Sequence, residues 1–281
     1  MPGRPVDELL HRIEAYYDAA PRAAARVEEH GPLTLFVNER PGWHYYARPR
    51  LGSSEAISRT DVEAVRERQR TLGVPQAFEW VAEVTPSLRG AIEASGGLHV
   101  RELPLLVLDR TAFEAAAATA SEARIVPAGT PDLALLRAVA DVGFATPGTA
   151  VGGIGREALP AAAARQDPAG LSVLRDRLRS GATVMAAAGD GEGPLAVGSH
   201  QPVAGVTEVL GVATLPAARR RGLATAVTHA LVADALRRGC EVVFLSADGD
   251  DVAAIYGHLG FRRVGTALLA EPAAAGGPPA G

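Results

Sequence analysis

The sequence predicts an α/β (α+β) protein, with a mixed, mostly antiparallel central sheet flanked by helices and present as two related halves. Three observations predict it. From residue 124 onward, strand and helix patterns alternate in the order β-α-α-β-β-β-α-β-α-β. Turn signals at Asp190-Gly191 and Ala204-Gly205 separate three successive strands, which makes an antiparallel meander. Finally, with an offset of 164 residues (Val264 against Val100), FEWVAEVTPSLRGAIEASG lies over VVFLSADGDDVAAIYGHLG. That offset sets Trp80 over Phe244, Ile92 over Tyr256 and Gly96 over Gly260.

The first half reads in order as follows. A helix covers Val6 to Ala19, burying Leu9, Leu10, Ile13 and Tyr16 or Tyr17, and a second short helix is expected over Arg22 to His30. LTLFV (33–37) and WHYYA (43–47) are strands around a Pro41-Gly42 turn. Ser58 or Thr60 caps a helix running to Arg70. A strand at 78–82, a helix at 86–94 ended by Gly96-Gly97, and a strand at 100–108 broken near Pro104 complete this half. The alanine-rich stretch 111–123 is a linker helix. The implied domains are 1–110, 124–270 and, at 271–281, a disordered tail.

In the second half, a short strand at 124–126 precedes a helix at 131–142, a Gly/Thr/Pro loop at 143–155 and a helix at 171–179. The meander strands are 183–188, 195–202 and 207–214. Then comes VTEVLGVATLPAARRRGLAT (206–225). A strand is stopped by Pro216, three arginines and Gly222 form a turn, and a helix begins. Helix starts carry N–H groups without partners and partial positive charge, Gly222 permits close backbone approach, and arginine supplies paired donors. The arrangement suits a phosphate. A strand at 242–246, a helix at 250–259 and a strand at 262–269 close the chain.

Composition narrows the classes. The 281 residues suggest two domains, and the net charge of −4 argues against a nucleic-acid binder. All 28 basic residues are arginine, which points to a high-GC bacterial coding bias. The lone Cys240 cannot form an intrachain disulfide and reads as a small buried residue. With neither a signal-peptide core nor a run of membrane-span length, a cytoplasmic location is expected.

Arg219-x-x-Gly222-x-Ala224, with Pro216 ahead of it, resembles the acetyl-CoA signature of the GCN5-related N-acetyltransferases, the GNAT superfamily. Ile255-Tyr256-Gly257-His258-Leu259-Gly260-Phe261 resembles that family's LY-x-x-x-GF segment. The resemblance covers residues 124–269 and implies the GNAT fold, in which the fourth and fifth strands splay around pantetheine. It implies acetyl-CoA as co-substrate, no metal, and transfer to a primary amine by direct attack. The backbone of Val212, Ala213 and Thr214 would pair with pantetheine. Arg219, Arg220, Arg221, Gly222, Leu223, Ala224 and Thr225 would face the pyrophosphate, and Tyr256 would protonate the departing thiolate. Glu208 is the candidate base, with His200 on the neighbouring strand as its rival.

One departure is Asp248-Gly249-Asp250-Asp251, where the family often has asparagine; here Asp250 or Asp251 is expected to cap the helix. The first half would be a degenerate GNAT-like copy, since Glu55 and Ser58 stand where Arg219 and Gly222 do. It would form a lid or pocket wall, with Trp43, His44, Tyr45, Tyr46 and Trp80 lining the acceptor side or packing in the core. A small amine is the expected acceptor and a protein amine the alternative, in a monomer or homodimer. The rival function is a CoA-binding sensor without turnover.

Overall fold

Local sequence and pairing build two compact units, described in the computed structural model over residues 5–42, 44–115 and 123–272. One unit comprises the described residues up to Leu105 together with those from Val264 onward; the other runs from Leu106 to Arg263. The final strand therefore counts with the N-terminal residues, whereas the sequence grouped it with 124–270.

The first unit opens with α1 (Val6–Arg22) and a hairpin of β1 (Ala25–His30) and β2 (Leu33–Asn38). The helix expected over 22–30 is this strand. His30 pairs with Leu33 around a two-residue turn in which Gly31 has φ +56°, and Glu28 of β1 binds Arg68 at 2.7 and 2.8 Å. A hairpin partner and a distant cation override weak local helix propensity. WHYYA is not a strand either. Trp43 lies outside the described residues, 44–46 are irregular, and pairing is limited to Ala47 and a two-residue β3 (Arg48–Pro49). Next come α2 (Arg59–Leu72), β4 (Phe78–Val81), α3 (Ser87–Ser95) and β5 (His99–Leu108), which continues through Pro104. Trp80 is fully buried among Leu33, Phe78, Leu88 and Ile92, so its place is the core. Of the expected linker helix, α4 (Arg110–Ala115) is present, and 116–122 lie outside the described residues.

The second unit contains β6 (Ala123–Ile125), α5 (Leu133–Phe144), α6 (Leu159–Ala164), α7 (Pro168–Ser180), β7 (Val184–Asp190), β8 (Gly193–Val203), β9 (Val206–Thr214), α8 (Leu223–Arg237), β10 (Val242–Ser246) and α9 (Asp250–Gly257). Its strand order is β10-β9-β8-β7-β6; β6 to β9 run antiparallel and β10 lies parallel to β9. The last strand, β11 (Phe261–Glu271), returns to the first unit. There Ala267 to Ala270 pair antiparallel with Val81 to Phe78 of β4.

The repeat is visible in the elements: α2, β4, α3 and β5 recur as α8, β10, α9 and β11. Trp80 and Phe244 are both fully buried, and Gly96 and Gly260 both have positive φ (+64° and +88°).

A β-bulge shapes β9. Val197 pairs with Ala213 but Ser199 pairs with Leu210, so Gly211 and Val212 together face Gly198. Gly211 takes φ +64°, a conformation open to glycine. Gly198 is equally constrained, since a Cβ there would lie 2.9 Å from Val227, 3.0 Å from Val212 and 3.2 Å from Leu231. Gly198→Val is expected to destabilise the second unit by about 1–3 kcal/mol through overpacking. Urea denaturation followed by circular dichroism checks this; a midpoint equal to that of the native protein would contradict the close packing of α8 on β8.

Candidate active site

The candidate site lies where β9 and β10 part. Their parallel ladder pairs only Val206–Glu208 with Val242–Phe244, so β9 runs on from Leu210 to Thr214 without β10 beside it. The bulge decides which side chains share a face here. Five residues along a regular strand reverse the face, yet Glu208 pairs with Gln201 and Ala213 with Val197, two positions on the same face of β8. Glu208 and Ala213 therefore point the same way. Gly143, near the end of α5, covers that face: a Cβ on it would stand 3.0 Å from the Ala213 Cβ. Val212 is turned to the opposite face, that of α8. Gly211 inside a strand was the sequence signal for this bulge. The Thr214 hydroxyl, buried at the strand's end, has no hydrogen-bond partner among the described residues.

After β9 the chain makes a single 3₁₀ turn over Pro216–Ala218 and then the arginine turn. Arg220 has φ +63° and Gly222 φ +75°. A non-glycine residue held in the left-handed region is uncommon and marks a backbone fixed by its surroundings. Gly222 is the N-cap of α8, contributes no side-chain acceptor, and is followed by no acidic residue in the first turn. The first intrahelical bond there is Ala226 N–H to Gly222 C=O at 3.0 Å, so the N–H groups of Leu223, Ala224 and Thr225 point out of the helix start. The matching helix of the first unit is closed. Ser58 caps α2 in a capping box, its hydroxyl accepting from Asp61 N–H at 3.4 Å and its own N–H donating to the Asp61 carboxylate at 2.8 Å.

Of the predicted phosphate arginines, Arg220 and Arg221 are exposed beside Gly222. The guanidinium of Arg219, assigned to phosphate by the sequence, is instead occupied by carbonyl oxygens of Gly143 (3.0 Å), Thr146 (2.5 Å) and Ala150 (3.2 Å). Its target is distant in sequence, which hid this role.

Tyr256 lies on α9 within the core of the second unit, edge-on to Phe261 at 5.9 Å between ring centroids. Burial pushes its phenol up to about 12, so the proton stays in place at neutral pH. The N-cap of α9 is Gly249, with no side-chain cap; Asp250 and Asp251 sit in the first turn instead, favourably placed against the helix dipole. His258 is exposed, and Cys240 is buried.

His200 is fully buried with both ring nitrogens engaged. Nδ1 lies 3.0 Å from the Thr207 hydroxyl and Nε2 lies 3.1 Å from Asp234 on α8, a carboxylate that also binds Arg237 and Arg238. Asp234 only accepts, so Nε2–H donates to it and Nδ1 accepts from Thr207. His200 thus faces α8 and braces helix to sheet, on the side opposite Glu208. The structure does not offer it as a base.

Comparison with known proteins bears on the fold that carries this site. Residues 153–261 match the model of the acetyltransferase (GNAT) family. This stretch, 109 of the 281 residues, is similar to a GNAT domain. Acyl transfer from acetyl-CoA is that family's chemistry. The GCN5-related N-acetyltransferase from Kribbella flavida is similar over 95% of this chain and 96% of its own, with 20% identity and a TM-score of 0.68. A putative GNAT acetyltransferase from Novosphingobium aromaticivorans matches over 94% and 98%, with 17% identity and a TM-score of 0.56. A tandem GNAT protein from the clavulanic acid biosynthesis pathway matches over 87% and 79%, with 16% identity and a TM-score of 0.51. At these identities the likeness is one of fold, and it spans both halves of the chain. No curated protein matches the sequence significantly. Among the described residues no helix is long and apolar enough to cross a membrane.

Burial lowers the pKa of His200 from 6.5, against the opposing pull of Asp234. The unfolded chain then binds the proton more readily, so this contribution to stability is complete above pH 6.5 and is lost as pH falls below it. Urea midpoints measured between pH 5 and 7.5 should decline toward acid, and His200→Gln should flatten that decline. An unchanged slope in the variant would place the acid sensitivity elsewhere.

Proposed function

We propose that the protein is an acetyl-CoA-dependent N-acetyltransferase that acetylates a primary amine by direct attack in a ternary complex. The observation that carries this reading is the open start of α8 at Gly222, directly after a strand that its parallel neighbour leaves at Glu208. The residues fit a phosphorylated thioester. The amides of Leu223, Ala224 and Thr225 and the side chains of Arg220 and Arg221 would receive the pyrophosphate. The unpaired edge of β9 from Val212 to Thr214, with the orphan Thr214 hydroxyl, would receive the pantetheine amides.

The chemistry then needs three services. Glu208, on the face shared with Ala213, takes the ammonium proton, directly or through water, so that the neutral amine can attack. The N–H groups at the bulge, Gly211 and Val212, where the regular register with β8 breaks, are proposed to polarise the thioester carbonyl. Tyr256 holds its proton and donates it toward the sulfur as the carbon–sulfur bond breaks. A small amine is the acceptor proposed; a protein amine is the alternative. The test is thiol release from acetyl-CoA with a panel of an arylalkylamine, a polyamine, an aminoglycoside and a lysine-containing peptide. CoA binding without turnover on any of them would make the protein a CoA-binding module instead.

With the best amine of that panel, Tyr256→Phe should lower kcat by about 10²–10⁴ while CoA affinity is nearly preserved. Glu208→Gln should lower kcat and remove the acidic limb of the pH–rate profile. Normal turnover in the Phe variant, or an intact acidic limb in the Gln variant, would refute the respective role.

One chain should bind one CoA. The α2 start is closed by Ser58 and Asp61, and Ile92 stands where Tyr256 does, so the first unit lacks both donors and acid. Calorimetric titration should give a stoichiometry near one, lost in Gly222→Glu, which strains the left-handed backbone and sets a carboxylate among the phosphate donors. Two sites per chain, or binding that survives the substitution, would show the cofactor to be misplaced.

A further inference from the structure

We infer that Arg219 is a positioning residue: it fixes the loop after α5 as the acceptor-side wall of the site and does not bind the cofactor. The inference rests on the acetyltransferase reading. Both terminal nitrogens of the guanidinium are spent on three carbonyls, those of Gly143, Thr146 and Ala150, so one rigid fork gathers the end of α5 and the first half of the loop. Backbone bonds tie the second half to the same turn: Gly152 N–H donates to Pro216 C=O at 3.1 Å, and Ala217 N–H donates to Ile154 C=O at 2.9 Å. The segment leaves α5 at Gly143, over Ala213, on the face that also carries Glu208. That is the side from which a deprotonated amine must approach.

The loop itself is distinctive. From Ala145 to Gly155 it contains no charged residue. Phe144, the last residue of α5, and Val151 and Ile154 of the loop have 58%, 60% and 44% of their surface exposed, three of the five large apolar side chains exposed among the described residues. Left to itself, an 11-residue stretch with four glycines would be ordered poorly. Arg219 and the two backbone bonds hold it against the phosphate turn.

Arg219→Lys and Arg219→Ala separate this role from phosphate binding. A lysine keeps the charge but cannot reproduce the fork. If Arg219 positions the loop, the two variants behave alike: amide hydrogen exchange across 144–155 rises at least tenfold, the Kd for CoA stays within about twofold, and the KM of the best panel amine rises about tenfold with a smaller change in kcat. Melting temperatures confirm that both variants fold, and the lysine variant serves if the alanine variant does not. Unchanged exchange in the loop would overturn the inference. So would a tenfold loss of CoA affinity in Arg219→Ala that lysine restores, or a loosened loop with an unchanged acceptor KM. If the native protein acetylates no amine of the panel, the functional reading fails by itself, and exchange and CoA affinity still decide what Arg219 holds.

Discussion

The second unit depends on a small set of backbone donors that the protein leaves without an internal acceptor. The first turn of α8 begins at a glycine, with neither a serine hydroxyl nor a carboxylate to satisfy its N–H groups. Everything before it serves to deliver that helix start to the end of β9: the 3₁₀ turn at Pro216, Arg220 held in the left-handed region, and Gly222. A helix end of this kind is unfavourable in isolation and useful to an anion. The first unit shows the alternative solution. There the same element of the repeat begins with Ser58 and Asp61, which satisfy each other and the backbone, and the opening disappears. The difference between a helix start open to phosphate and one that is sealed comes down to the chemistry of its cap.

The bulge in β9 does comparable work for the reacting groups. By setting two residues against Gly198 it brings Glu208 and Ala213 to one face and turns Val212 to the other. His200 lies on the α8 side, locked between Thr207 and Asp234. The β8–β9 pair thus presents an acid-bearing face toward α5, from Glu208 of β9, and a buried brace toward α8, from His200 of β8. This is why two candidates on adjacent strands, nearly indistinguishable by residue type, have such different surroundings.

What the sequence made legible is what depends on neighbours in the chain. The arginine turn, the helix from Leu223, the strand at Val242–Ser246 and the segment bearing Tyr256 all announce themselves through proline, glycine and apolar period. The short repeat, too, proved to cover whole elements. The misreadings lie where a distant partner decides. ARVEEH became a strand because LTLFVN pairs with it and Arg68 reaches Glu28. Asp250 and Asp251 yielded the cap to Gly249, whose φ of +97° only glycine adopts readily. For Arg219, which matches the motif by type, the hydrogen bonds that the side chain makes lie some 70 residues away in sequence, beyond the reach of any local pattern.

The placement of β11 bears on how the chain comes to be folded. Its residues 267–270 are the ladder partners of β4, a strand whose four residues are all buried. During synthesis Phe78 to Val81 emerge long before those partners exist, so β4 stays an unpaired apolar strand on that side while the whole second unit is made. Contacts so far apart in sequence slow folding, and unpaired edges invite wrong partners. Completion of the first unit therefore reports that the chain has been read through the second: β4 gains its partner only after residues 106–263 have been made.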